Sequence, residues 1–274
     1  MKRLSSATIR VFRRTVLNHY KKNGRDLPWR HTIDPYFILV SEIMLQQTQA
    51  PRVIGKYRQF INQFPTIKSL AKAPLAQVLQ LWQGLGYNRR AIGLHRTAQV
   101  IDSTYRGKMP TTIDQLRDLP GIGPYTAAAV RVFAFNQPAL LIETNIRSVY
   151  IYYFFNHYRR QIADIELIAL IEQTQDYKNP KQWYHALMDY GAMLKSTYGN
   201  PSKKSKHYTK QTKFDGSNRQ LRGQIVKLII EKKRISLAQC QKKLNFSRLQ
   251  IETALQQLIS EGLIKKNNHH YIII

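Results

Sequence analysis

From Ile9 to about Lys195, apolar residues recur at i, i+3 and i+4 with almost no strand-like alternation, and proline or glycine stands at the joins. Only stacked helices satisfy that period. Val53-Ile54-Tyr57-Phe60-Ile61-Phe64, Leu75-Val78-Leu79-Leu81-Trp82 and Leu94-Ala98-Ile101 each carry one apolar face, and Pro51, Pro65, Pro74 and Pro110 mark starts or ends. The pattern predicts an all-α domain over residues 1–195.

The text then changes. Between Leu194 and Arg222 it is polar, with eight Lys or Arg and one acid, and residues 196–218 read as a basic linker. Lys203, Lys204 and Lys206 suit phosphate contact, although a solvated loop has the same composition; Tyr198, Tyr208 and Phe214 favour docking. Residues 219–274 show helical patterns over 219–233, 236–243 and 247–261 and then a hairpin. Ser236 and Ser247 are natural N-caps, and Asn267-Asn268 suits the positive φ of a tight turn. Three helices and a hairpin resemble a winged-helix module, an architecture that binds DNA or protein.

Charge narrows the partners. The 274 residues hold 43 Lys plus Arg against 16 Asp plus Glu, a formal net charge of +27 distributed along the chain, as for a protein that meets a polyanion. No uncharged apolar run approaches the roughly 18 residues of a membrane span, and Arg10, Arg13 and Arg14 break the apolar stretch a signal peptide would need. We expect a cytoplasmic, nucleoid-associated monomer. With Cys240 as the only cysteine, intramolecular disulfides and all-cysteine zinc or iron–sulfur sites are excluded.

Three segments carry chemistry. Leu119-Pro120-Gly121-Ile122-Gly123-Pro124-Tyr125-Thr126-Ala127 lies between the helical patterns Thr112 to Leu116 and Ala127 to Phe135, which predicts a helix-hairpin-helix. Gly121 and Gly123 let backbone approach a phosphate, and the second helix offers its unpaired N–H groups. Glu143, within Leu141-Ile142-Glu143-Thr144-Asn145, sits near a helix start, either as a dipole-favoured terminal charge or as an active-site acid. Glu42 lies inside an otherwise apolar helix, where a carboxylate is costly unless it faces solvent or has a function; burial would raise its pKa towards that of a general acid.

Ser41-Glu42-Ile43-Met44-Leu45-Gln46-Gln47-Thr48-Gln49, Trp82-Gln83-Gly84-Leu85-Gly86-Tyr87 with Arg89-Arg90-Ala91 and Leu94-His95, and then the glycine hairpin, resemble the MutY family of adenine glycosylases in the helix-hairpin-helix superfamily, over about residues 27–195. The resemblance implies a two-lobed all-α core that binds double-stranded DNA containing a mispair or lesion. It implies a monofunctional glycosylase, because relatives that also cut the backbone carry lysine where this chain has Tyr125. Glu42 would protonate the adenine ring nitrogen and then help activate water, with Tyr125 near its carboxyl. Glu143 would stabilise the oxocarbenium-like sugar, oriented by Asn145. Gln46, Gln47, Thr48, Tyr87 and Arg89 would contact DNA, with Gln47 and Tyr87 wedged into the stack beside the expelled base.

Three departures accompany the resemblance. Glu143 stands where the family ordinarily has Asp. The four-cysteine loop expected after Gly191-Ala192-Met193 is replaced by Lys195 to Lys213, so no cofactor and no iron–sulfur cluster are expected. The family's 8-oxoguanine-recognising domain gives way to the winged-helix-like segment. Two alternatives stay open: a glycosylase for uracil or thymine mispaired with guanine, and a non-catalytic DNA-binding protein on the same scaffold.

Overall fold

The computed structural model describes residues 3–211 and 213–274, and many of its helices begin where a proline or capping hydroxyl stands. In chain order they are α1 Ser6–Asn23, α2 Pro35–Leu45, α3 Ala50–Gln63, α4 Ile67–Lys72, α5 Leu75–Trp82, α6 Arg89–Thr104, α7 Ile113–Arg117, α8 Pro124–Phe135, α9 Thr144–Phe155, α10 Asp164–Thr174, α11 Pro180–Tyr198, α12 Asn218–Lys232, α13 Leu237–Lys243 and α14 Arg248–Ser260. Ser5 and Thr66 accept from the N–H groups of Thr8 and Ser69, which would otherwise be unpaired, and proline opens α3, α8 and α11. Left-handed Asn136 and Lys233 stop α8 and α12. The expected all-α core is borne out.

Chain order and compactness part company. One unit comprises Met1–Ile38, Thr111–Arg117 and Gly123–Lys210; the other comprises Leu39–Pro110, Asp118–Ile122 and Gln211–Ile274.

In the first unit, α1, α8, α9, α10 and α11 bury a core rich in aromatics. The Phe12 ring meets those of Tyr150, Tyr153, Phe154 and Trp183 at centroid distances of 5.0–5.8 Å, mostly edge to face, the arrangement that suits the ring quadrupoles. Asp189, on α11, is the charged exception. It accepts from the Arg25 backbone N–H (2.8 Å) and Nε (2.7 Å) and takes a bidentate pair from Arg30 (2.8 and 2.7 Å). Burial pushes this carboxyl upward, but the Arg30 hydrogen bonds and the two positive charges outweigh it and hold Asp189 below the usual carboxylate range.

The segment expected as a linker begins as structure. α11 continues to Tyr198, Pro201–Lys204 form a 3-10 turn, and Ser202 and Ser205 are buried. Ile162 donates to the Lys204 carbonyl (2.8 Å) and accepts from the Lys206 N–H (2.9 Å), so residues 201–206 are stitched to the loop before α10. Polar composition concealed this, because backbone groups, not apolar side chains, make the attachment.

In the second unit, α3, α4, α5 and α6 enclose Val53, Phe60, Leu70, Leu79, Trp82 and Leu94. His95 is buried on α6 with Nε2 3.0 Å from the Ala73 carbonyl, and burial lowers its pKa. The same unit contains the C-terminal segment. Its order is α12, β1 (Ile235–Ser236), α13, α14, β2 (Ile264–Asn267) and β3 (His270–Ile273), with the antiparallel sheet arranged β1-β3-β2. Ser236 and Ser247 are N-caps, as anticipated, and each completes a capping box, with Gln239 and Gln250. The two-residue strand β1 was not foreseen; it is too short for a period-two signal. The hairpin turn sits one residue later than expected: Asn267 pairs with His270, leaving Asn268 (φ +53°) and His269 as the loop.

Candidate active site

Glu143 is the N-cap of α9. Its Oε1 accepts from the backbone N–H groups of Asn145 (2.8 Å) and Ile146 (2.9 Å), and its Oε2 accepts from Asn145 Nδ2 (3.2 Å). Three donors and the positive end of a helix therefore hold one carboxylate in one place. The approach to the cap is also fixed, because the Leu141 N–H donates to the Tyr184 hydroxyl (3.2 Å), itself bonded to Gln175. The helix-terminal reading of Glu143 is the one these contacts bear out: it caps α9.

α11 crosses this helix start at Gly191. A Cβ there would lie 2.8 Å from the Asn145 Cα and closer still to its carbonyl, so only glycine allows the approach. One turn on, Lys195 is half-buried. Burial lowers its pKa, and the Glu143 charge works in the opposite direction. Arg147 leaves the site for Asp164, with contacts of 2.9 and 2.6 Å that tie α9 to α10.

Glu42 lies in α2 at 7% exposure, so the solvent-facing alternative is not the one adopted. Tyr125 stands half-buried in the first turn of α8, behind Pro124.

The helix-hairpin-helix forms as α7, a turn and α8. Ile122 N–H closes the turn on the Leu119 carbonyl (3.1 Å), and Gly121 adopts φ +77°. The carbonyl of Pro120 accepts from Thr97 (2.5 Å), and a Cβ on Gly121 would come within 3.2 Å of the Gly93 Cα, so the hairpin lies against α6 through two glycines. Gly123 has a φ of −86°, which suits any residue, and nothing lies within 4 Å of a Cβ built on it. It is an open, exposed helix cap, not a conformational requirement.

Gln46, Gln47 and Thr48 follow α2 in a loop where Gln47 has φ +55°. Arg90, next to the expected Arg89, organises that loop. Its guanidinium donates to the carbonyls of Ile43 (2.9 Å), Met44 (2.9 Å), Gln46 (2.5 Å), Leu85 (3.0 Å) and Gly86 (2.9 Å), and to the Thr48 hydroxyl (3.2 Å). It thereby satisfies carbonyls that α2 leaves open at its C-terminus, and burial pulls its pKa down to about 10. The adjacency of Arg89 and Arg90 could have suggested two roles; which arginine turns inward is set by the fold. Arg89 is exposed, 4.0 Å from Glu261.

Tyr87 also has a positive φ, +50°. Its hydroxyl accepts from Gln211 Nε2 and Arg219 Nη1, each at 2.5 Å, two partners that no short-range pattern announces. Lys203 and Lys206 are exposed, whereas Lys204 donates to the Asn156 carbonyl (2.6 Å). The residues do not fit an iron–sulfur cluster: the chain has one cysteine, and Cys240 is buried between α13 and its neighbours. No helix among the described residues is long and apolar enough to cross a membrane.

Residues 40–172 match the HhH-GPD superfamily base excision DNA repair protein family. The adenine DNA glycosylase of Buchnera aphidicola subsp. Baizongia pistaciae is 38% identical over 188 residues, 68% of this chain and 54% of that protein. The adenine DNA glycosylase of Mycobacterium tuberculosis (strain H37Rv) is 44% identical over 135 residues, 49% of this chain and 44% of that protein. The chain spans about half the length of the curated relatives it matches. A solved thermostable thymine-DNA glycosylase superposes with a TM-score of 0.63 at 30% identity, covering 73% of this chain and 93% of that one. The chain belongs to the HhH-GPD superfamily of base excision DNA repair proteins.

Proposed function

We propose that this chain is a monofunctional adenine DNA glycosylase that releases adenine opposite 8-oxoguanine or guanine, working as a cytoplasmic monomer without a metal cofactor. The observation that carries the reading is the Glu143 carboxylate, pinned by three N–H donors at the start of α9. A developing sugar cation needs a fixed anion of this kind, since electrostatic stabilisation is greatest when the charge is already in place.

Glu42 in its acid form donates a proton to a ring nitrogen of the flipped adenine. The C1′–N9 bond then breaks with its electron pair leaving on the base, and the positive charge at the sugar faces Glu143. Water adds at C1′ and yields its proton to the Glu42 carboxylate, restoring the acid and leaving an abasic site. Asn145 orients the Glu143 carboxyl, and Tyr125 assists the acid step. With tyrosine and not lysine at position 125, no Schiff base arises there and the backbone stays intact. Gln47 and Tyr87 enter the stack beside the expelled base, Gln46 and Thr48 contact the DNA, Arg89, Lys203 and Lys206 meet phosphates, and Gly121 and Gly123 let the hairpin backbone do the same.

The relatives named adenine glycosylases support the substrate. Release of thymine or uracil opposite guanine is the second reading, favoured by the thymine-DNA glycosylase likeness. End-labelled duplexes holding A opposite 8-oxoguanine, A opposite G, and T or U opposite G, treated with hot alkali, separate the two. Cleavage of the adenine strand only after alkali, lost in Glu42→Gln, is the expected result; signal only with T or U selects the second reading, and binding without an abasic product selects neither.

A further inference from the structure

Tyr87 belongs to a longer series. The Arg90 guanidinium lies over the rings of both Trp82 and Tyr87, 5.5 Å from each centroid, and that of Arg219 lies over Tyr87 (5.3 Å) and Phe214 (5.7 Å). Three aromatic rings and two guanidinium planes therefore alternate from Trp82 to Phe214. One end is fixed: Trp82 is fully buried and its Nε1 donates to the Gly86 carbonyl (3.1 Å), while Arg90 is held by six acceptors. The other end is open, with Phe214 54% exposed.

We propose that Phe214, carried on Arg219 and Tyr87, is a stacking site for an unpaired nucleobase, the one left without a partner in the strand opposite an expelled base. A ring backed by a cation offers its free side to a flat π-system, and such stacking accepts every base because every base has a π-face. An intact duplex has no such face to offer. Beside Phe214 in the chain stand the exposed polar residues Gln211, Lys213 and Asp215. Lys213 and Arg89 supply cations for the flanking phosphates. Phe214 and Arg219 lie beyond the family match, which ends at residue 172, whereas Tyr87 lies within it. The inference rests on the reading of this chain as a DNA-repair protein.

The test measures affinity of the full chain, by fluorescence anisotropy, for two duplexes identical except that one has a tetrahydrofuran abasic analogue opposite a central guanine and the other has a C·G pair. The preference for the first over the second should fall about tenfold in Phe214→Ala and be retained in Phe214→Trp. Thermal unfolding checks that both variants fold. A preference in Phe214→Ala equal to that of the wild type overturns the inference, as does a wild type that does not distinguish the duplexes. Adenine release is scored separately: loss of preference in Phe214→Ala with no adenine released by the wild type sustains the stacking site and removes the adenine reading.

Discussion

Gly191 on α11 faces the backbone of Asn145 so closely that any Cβ would lie within 2.8 Å of the Asn145 Cα. The residue displaced would be the one that, with Ile146, binds the Glu143 carboxylate. Gly191→Ala should therefore cost stability, about 1–3 kcal/mol as an overpacked contact, and should slow base release further than that loss explains. Urea unfolding and single-turnover release measured on the same preparation will show whether the two effects separate.

Glu143 has two duties that substitution can divide. Glu143→Ala removes the α9 cap, at about 1 kcal/mol, together with the charge. Glu143→Gln keeps an acceptor for the helix N–H groups but not the charge. Both variants should release adenine about a hundredfold more slowly or worse, with only the alanine variant clearly less stable. Full activity in Glu143→Gln would leave the cap as the sole role.

Arg90→Lys should loosen two stretches at once. A lysine ammonium has three donors at one point and cannot reach acceptors spread over residues 43–48 and 85–86. Hydrogen exchange is expected to quicken in both stretches, with a stability loss of about 2 kcal/mol from stranded carbonyls. Protection unchanged in either stretch would show that the guanidinium is not what holds it.

Asp189→Asn leaves the Arg30 side chain, 7% exposed, without its counter-ion. Removing one member of a buried pair costs about 3–5 kcal/mol, so the melting temperature should fall steeply. A drop no larger than that of an exposed control such as Asp26→Asn would contradict the assignment.

His185 stacks on Phe133 with ring centroids 4.7 Å apart. Burial, and then the charges of Arg30 and Lys181, press its pKa down to about 3. An unfolded imidazole binds a proton near pH 6.5 and the folded one resists it to about pH 3. The stability tied to this group is therefore complete above that upper value and drains away as pH falls, by about 1 kcal/mol between pH 6.5 and 5.5. Urea unfolding at pH 7.5 and 5.5 should show this slope in the wild type and a shallower one in His185→Phe.

What could be read in advance was local. The Ser236 and Ser247 caps, the proline-opened helices and the glycine hairpin each depend on neighbours a few residues apart. Glu42 stood out because its helix is otherwise apolar. The unread features join distant residues: Arg30 to Asp189 is a separation of 159 residues, and Arg219 to Tyr87 one of 132. Gly191 carried no visible signal, because a lone glycine in a helical pattern does not say which backbone it meets.

The Arg90 guanidinium also sets a limit on redesign. Residues 43–48 and 85–86 share one anchor, so a library that varies either loop inherits whatever the other requires of it. Attempts to redesign either loop will therefore meet a paired constraint: the two loops have to be exchanged together, as a cassette, around an arginine that stays put.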